Sequence, residues 1–354
     1  MEKASPLSQT YKTMDRRSFI RLSGLLGLGL ASAAVVPTGA EAVRFNAKTY
    51  KISKTRLAMG TFVSMTLIHP SKDKAQEAMG LAFEEIDRLT HSMSRFDTAT
   101  ALAQLNKEGT LNDLPPELAQ VIERALRYYR LSNGTFDISV KPVVDLFRDG
   151  FLQGNREAPP DEKALKEALH LVGAHNIELR GRTVRFKRPG MGITLDGIAK
   201  GYIVDRASKI LTRHGIENHL INAGGDIKAT GGKGGKKSWT VAIQDPKKQK
   251  HYPDIIHIRD GAIATSGNYE IYFDKEKMFH HIVNPKTGLS PRLTTSVSVL
   301  AETAMDADAL STALFVMEPE TAIRFINGRT RSEALIITEE ETILKSRHWK
   351  GRAT

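Results

Sequence analysis

The chain contains no cysteine, and that absence removes disulfides, thiolate nucleophiles and cysteine-held metals together. It also removes the lipid-bearing cysteine of a lipoprotein. Aromatic residues are scarce, 6% of 354 positions with two tryptophans, and no recognised nucleic-acid-binding pattern accompanies them. Acid is in deficit: 40 acidic residues face 51 basic ones, a formal charge of +11. The lysines are scattered or sit in turns such as Gly231 to Lys237. The excess therefore reads as a solvated surface or as attraction for an anionic small molecule, and no nucleic-acid partner is expected. The glycines of that turn lack the P-loop pattern and predict a hairpin loop.

Long apolar runs are also missing, except at the N-terminus. There Asp15-Arg16-Arg17-Ser18-Phe19-Ile20-Arg21 leads into a glycine-rich apolar stretch from Leu22 to Val36, followed by Pro37-Thr38-Gly39-Ala40-Glu41-Ala42. The stretch is shorter than the roughly 20 residues a spanning helix needs. It resembles a twin-arginine export signal with a small-residue cleavage site. The expectation is a cleaved leader over residues 1–42, a single domain over 43–354 and a periplasmic destination. Without the leader's Lys3, Lys12, Arg16, Arg17 and Arg21 against Glu2 and Asp15, the remaining charge is about +8.

Hydrophobic periodicity outlines the rest. Leu57 to Ile68 alternates and predicts a strand, with Phe62, Ser64 and Thr66 on one face and Val63, Met65 and Leu67 on the other. Ala75, Met79, Ala82, Phe83, Ile86 and Leu89 share one helical stripe, and Leu118, Val121, Ile122, Ala125, Leu126 and Tyr129 share another, stopped by Asn133-Gly134. Further helices are predicted at Asp161 to Leu171, Ala199 to His214 and, finally, Asp306 to Met317. Short strands are predicted at Ile177 to Leu179, Thr183 to Phe186, Met191 to Leu195, Val241 to Gln244, Ile255 to Ile258, Ala262 to Thr265, Phe279 to Val283 and Ser296 to Leu300. Strands and helices in runs, without strict alternation, give an α+β fold of mixed sheets with covering helices.

Chemistry concentrates in the last third, in Ala264-Thr265-Ser266-Gly267-Asn268-Tyr269-Glu270, His280-His281-Ile282-Val283-Asn284-Pro285-Lys286-Thr287-Gly288 and Asp306-Ala307-Asp308-Ala309-Leu310-Ser311-Thr312-Ala313. The first block has the small residues that let backbone N–H groups approach an anion, the second an imidazole beside a Pro/Gly turn, and the third an acid and a hydroxyl for a hard cation. Together they describe a site for a metal-bound diphosphate. Asp308 and Thr312 stand four apart on a helix, so their oxygens share a face. With a backbone carbonyl near Gly197 they would suffice for Mg²⁺, although local spacing alone favours a helix cap at Asp306 or Asp308, and only the surrounding blocks reverse that preference. His281 could accept the proton of an attacking hydroxyl or bond a phosphate oxygen, with Asp308 as a rival base. His280 would point the other way and is given no role. Gly224-Gly225-Asp226 and Thr265-Ser266-Gly267 could bring main-chain donors to phosphate or ribose, or could simply be tight turns.

In series with Met59-Gly60-Thr61, Met93-Ser94-Arg95-Phe96, Gly134-Thr135-Phe136-Asp137-Ile138, Gly197-Ile198-Ala199-Lys200-Gly201-Tyr202 and Asn222-Ala223-Gly224-Gly225-Asp226, these blocks resemble the ApbE family, the FAD:protein FMN transferases. The resemblance covers nearly the whole chain after the leader. It implies an ApbE-like fold and a Mg²⁺-dependent enzyme that takes FAD as substrate and joins FMN by a phosphoester to a Thr or Ser of an acceptor flavoprotein in a membrane or periplasmic redox system. AMP would leave. Water in place of the acceptor would make an FAD diphosphatase. A non-catalytic FAD-binding protein would have no need of Asp308 and Thr312.

By resemblance, Phe96, Thr135, Phe136 and Asp137 contact flavin or adenine, Met59, Thr194 and Ile282 complete the FAD pocket, and Lys200 neutralises diphosphate charge. Two departures stand out: family members often carry an aspartate where this chain has Thr194, and their lipoprotein forms have a cysteine anchor where this chain has a twin arginine.

Overall fold

The structure, a computed structural model, describes residues 41–46, 48–150, 160–234, 237–247, 252–268, 280 and 282–352. Residues 1–40, which hold the twin arginine and its apolar stretch, and His281 lie outside the described residues. Strand β1 (Glu41–Arg44) pairs with β2 (Tyr50–Ala58), which folds back onto β3 (Thr61–His69). Leu57 to Ile68 is thus two strands and not the single one expected. Met59 and Gly60 turn the chain with φ of 53° and 70°, the left-handed pair that a two-residue hairpin demands. A methionine in that conformation leaves no Asn-Gly signal in the sequence. Within β3 the alternation holds, with Val63, Met65 and Leu67 buried and Phe62 exposed.

Next come α1 (Lys72–Ser92), α2 (Ala101–Glu108), β4 (Thr110–Leu111) and α3 (Pro116–Leu131). The Ser71 hydroxyl accepts from the Lys74 N–H at 3.3 Å to open α1, whose expected stripe from Ala75 to Leu89 is buried. On α3 the stripe ends at Tyr128, which is buried, while Tyr129 is half-buried and pairs with His175. A 3₁₀ turn (Ile138–Val140), α4 (Lys141–Arg148), α5 (Glu162–His170), a second 3₁₀ turn (Ala174–Asn176), β5 (Ile177–Arg180) and β6 (Thr183–Phe186) follow.

Met191 to Leu195, expected as a strand, joins no sheet. Its backbone is served by the Asn106 amide, which donates to the Ile193 carbonyl at 3.0 Å and accepts from the Ile193 N–H at 2.7 Å, while the Thr194 N–H donates to Ile138 at 2.8 Å.

The C-terminal half contains α6 (Ala199–Arg213), β7 (His219–Ala223), β8 (Asp226–Thr230), β9 (Trp239–Ala242), β10 (Ile255–Ile258), β11 (Gly261–Gly267), β12 (Thr294–Ala301) and α7 (Ala304–Val316). Helix α8 (Pro319–Asn327) and strands β13 (Glu333–Thr338), β14 (Ile343–Lys345) and β15 (Gly351–Arg352) complete it, so α7 is not the final element as expected. Phe279 to Val283 is not a strand in its described part: His280 makes an isolated bridge and Ile282 and Val283 are irregular.

Among the described residues nine strands form one sheet in the order β1-β2-β3-β7-β8-β11-β12-β13-β14, antiparallel at every pairing. The sets β15-β10-β9 and β4-β6-β5 make two smaller sheets. The α+β expectation holds.

Helix α7 lies on β11 and β12 and against α6. Most of its length is buried, from Ala304 and Ala307 through Leu310 and Ala313 to Phe315, which explains a composition that is apolar except at Asp306, Asp308, Ser311 and Thr312. Helix α6 approaches it at Gly201, where an added Cβ would lie 2.3 Å from the Ala304 carbonyl oxygen. Asp205 on α6 accepts from the N–H groups of Ala304 and Met305, both at 2.9 Å, and so caps α7 from outside. Among the described residues no helix is long and apolar enough to cross a membrane.

Candidate functional site

A cavity of about 210 Å³ opens where the first turn of α6, the middle of α7, the start of β8 and the end of β11 converge. Strand β8 pairs with β11 only as far as Ile263. Beyond that point Thr265, Ser266 and Gly267 continue along β12 with their other edge on the cavity. The floor is acidic. Asp308 on α7 accepts from the Gly201 N–H at 3.0 Å, and Asp226 lies 3.6 Å from the Lys200 ammonium. Both carboxyls are buried, and among the described residues the Asp226 oxygen facing Lys200 has no hydrogen-bond partner.

Burial raises both carboxyls above the usual carboxylate range. Asp308 is raised far more, because the charge of Asp226 adds to its desolvation, while Lys200 partly relieves both.

Hydroxyls surround the pair. Ser266 lies 2.8 Å from the Ser311 hydroxyl and 3.4 Å from that of Thr312, and Ser311 donates to the Asp308 carbonyl at 3.0 Å. Gly197 presses its backbone against Thr312: an added Cβ would meet the Thr312 hydroxyl at 2.9 Å. Gly197, Asp308 and Thr312, expected to share a cation, are therefore neighbours. An all-oxygen set with two carboxylates fits a hard cation such as Mg²⁺. Among the described residues no three His, Cys, Asp or Glu side chains converge, so hydroxyl or main-chain oxygens would have to complete its shell.

The helix-cap alternative for this segment does not hold. Thr303 caps α7 by accepting from the Asp306 N–H at 3.1 Å, and Asp306 accepts from the Tyr128 hydroxyl at 2.8 Å, leaving Asp308 to the cavity.

Of the other residues singled out from the sequence, Met59, Thr135, Phe136, Asp137, Thr194, Lys200, Gly224 and Ile282 also line the cavity. Their chemistry differs from the expectation in places. The Gly224 N–H donates to Phe62 and the Gly225 N–H to the Asn222 side chain, so these glycines serve the β7–β8 turn and do not offer free donors. Gly225 is not in the wall, and Asp226 is the polar contribution of that block.

Asp137 is likewise engaged, accepting at one oxygen from the Ser139 N–H and hydroxyl (2.7 and 2.6 Å) and at the other from the Ala174 N–H (3.1 Å). Phe136 is buried edge-on to Tyr128. Thr265 turns its hydroxyl to Ser298 at 2.8 Å. Phe96 is outside the wall and 67% exposed, with the Arg95 and Arg148 guanidinium groups 4.4 and 5.1 Å from its ring centre. His280 is structural: it is buried against Phe315, its Nε2–H donating to Pro291 at 3.1 Å.

Two acids escaped the sequence reading. Asp196 lines the cavity and accepts from the Thr194 hydroxyl at 2.6 Å. It stands between Thr194 and Gly197, where an acid two residues beyond a threonine was the available signal. Asp205 gave no signal, because its partners are the backbone of a distant helix.

Fold and cavity define a class: an α+β protein in which an antiparallel sheet and a buried helix enclose paired carboxylates suited to a cation and an anionic ligand. The chain belongs to the ApbE family, which it matches over residues 59–336. It is 32% identical over 324 residues to an FAD:protein FMN transferase of Treponema pallidum, covering 85% of this chain and 88% of that one. It is 27% identical over 333 residues to the Escherichia coli K12 protein of the same name, covering 90% and 94%. The crystal structure of the ApbE protein of Thermotoga maritima superposes with a TM-score of 0.76 at 31% identity, over 84% of this chain and 97% of that one. The flavin transferase ApbE of Vibrio cholerae gives 0.73 at 27%, over 88% and 99%.

Proposed function

We propose that this chain transfers FMN from FAD to a Thr or Ser hydroxyl of an acceptor flavoprotein. The observation that carries the reading is the meeting of Asp226, Asp308, Thr312 and Lys200 at one cavity, in a chain whose relatives bear that activity in their names. The acceptor oxygen would form a bond to the FMN-side phosphorus while the bridging P–O bond breaks and AMP leaves. Such transfers depend mainly on positioning and on neutralising charge. Asp308, Thr312 and the Gly197 backbone would hold Mg²⁺, which supplies charge neutralisation to the diphosphate when bound. Lys200 brings a second positive charge to the same end of the cavity. The acceptor's proton would pass to His281 or to Asp308.

The acceptor is proposed to belong to a membrane or periplasmic redox system, reached after twin-arginine export and removal of the leader. The test is incubation of the chain with FAD, Mg²⁺ and candidate periplasmic flavoproteins, reading acceptor mass. A covalent FMN adduct on a Thr or Ser supports the reading. Free FMN and AMP with no adduct would make the protein a diphosphatase, and FAD recovered intact would reduce it to a binding protein.

A further inference from the structure

Helix α7 separates two cavities. Asp308, Thr312 and Val316 face the first, whereas Asp306 and Leu310, on the opposite side of the helix, face a second of about 580 Å³. The wall of the second cavity carries four arginines: Arg124 and Arg127 from α3, Arg329 and Arg331 from the loop after α8. Its acids are Glu302 and Asp306.

Two of the guanidinium groups are compensated, Arg124 at 3.4 Å from Asp306 and Arg331 at 2.7 Å from Glu302. Two are not. Among the described residues Arg127 has no ion-pair or hydrogen-bond partner. Among the described residues the Arg329 side chain reaches only the Leu131 carbonyl, at 3.5 Å, and the face of Phe325, while its Nε is buried without an acceptor. Arg331 has φ of 65°, a conformation that non-glycine residues rarely adopt and that tends to be kept where it places a side chain for a purpose.

We propose that this cavity is an anion-binding site for a phosphate group, distinct from the one on the far side of α7. Two uncompensated guanidinium groups match a dianion in charge. Their planar forks match a phosphate's oxygens in geometry. The phosphate could be free or the monoester of a nucleotide such as AMP.

The full chain is titrated calorimetrically with inorganic phosphate, AMP and adenosine, in chelator so that no turnover occurs. Phosphate should bind at one site outside the first cavity, so its binding should survive Lys200→Ala, and AMP should compete with it there. Arg127→Ala and Arg329→Lys should each weaken it about tenfold, the second by removing the fork while keeping the charge. Glu302→Gln should tighten it. AMP binding more tightly than phosphate, and weakened by the same two arginine variants, would assign the site to nucleotides, and equal affinities with no adenosine binding would assign it to the phosphate group alone. The proposal is overturned if phosphate does not bind at millimolar concentration, or if binding is lost in Lys200→Ala and kept in both arginine variants. None of these readouts depends on flavin transfer.

Discussion

Asp226 and Asp308 are buried at one cavity, and this arrangement makes a testable distinction between a site and a structural acid pair. Asp308→Asn keeps the acceptor for the Gly201 N–H but removes one of two crowded charges. In chelator the variant should melt no lower than the wild type, because the repulsion it relieves is internal. With Mg²⁺ present, FAD cleavage should fall roughly a hundredfold or more, since several kcal/mol of charge stabilisation goes with the carboxylate. Turnover equal to the wild type, with an unchanged Mg²⁺ requirement, would remove Asp308 from the cation.

Four-residue spacing on a helix made the shared face of Asp308 and Thr312 legible, but only the neighbouring sequence blocks pointed that face at a cation. Asp226 was read for the glycines before it, since nothing local tells an acid at a strand start that its partner sits on a helix much later in the chain. Asp196 should act as a ligand contact held by Thr194. Asp196→Ala should weaken FAD binding about tenfold, and Thr194→Val should add nothing in that background. Additive losses would mean that Thr194 touches the ligand itself.

At the scale of elements, the contact of α6 with α7 is the one the site depends on. Gly201→Ala would place a methyl group against the Ala304 carbonyl, and overpacking of that kind costs about 1–3 kcal/mol. The urea midpoint should fall accordingly. Turnover should fall with it, because Gly201 also donates to Asp308. An alanine variant with wild-type stability would show that the helices can separate freely.

Helical stripes such as Ala75 to Leu89 were readable because burial repeats with the helical period. Met191 to Leu195 misled for the opposite reason. Its apolar residues are buried as in a strand, yet the ladder is replaced by one asparagine side chain.

Across the whole molecule, two buried groups set opposing pH responses. His219 is enclosed with its Nδ1–H donating to the Ile216 carbonyl and its Nε2 accepting from Ser208, both at 2.8 Å. Burial pushes it down to about 4. The unfolded chain, with an imidazole near 6.5, therefore binds more protons between those values. Stability from this group is complete above about pH 6.5 and is lost as pH falls toward 4, by about 3 kcal/mol. Asp205 runs the other way: burial raises it to about 6, so its penalty fades as pH falls through the same range. In His219→Gln the loss between neutral pH and about pH 4 should be smaller than in the wild type by about 3 kcal/mol, read from urea curves. Parallel curves would mean that His219 titrates normally. Arg16→Lys with Arg17→Lys should strand the precursor in the cytoplasm, as cell fractionation would reveal. Normal export of that pair would argue for another route.

Helix α7, buried along most of its length and capped from α6, has no room to slide or turn when a ligand arrives. Its oxygens are therefore preorganised. The entropy of arranging Asp308 and Thr312 is met once, during folding, and is not charged against each binding event.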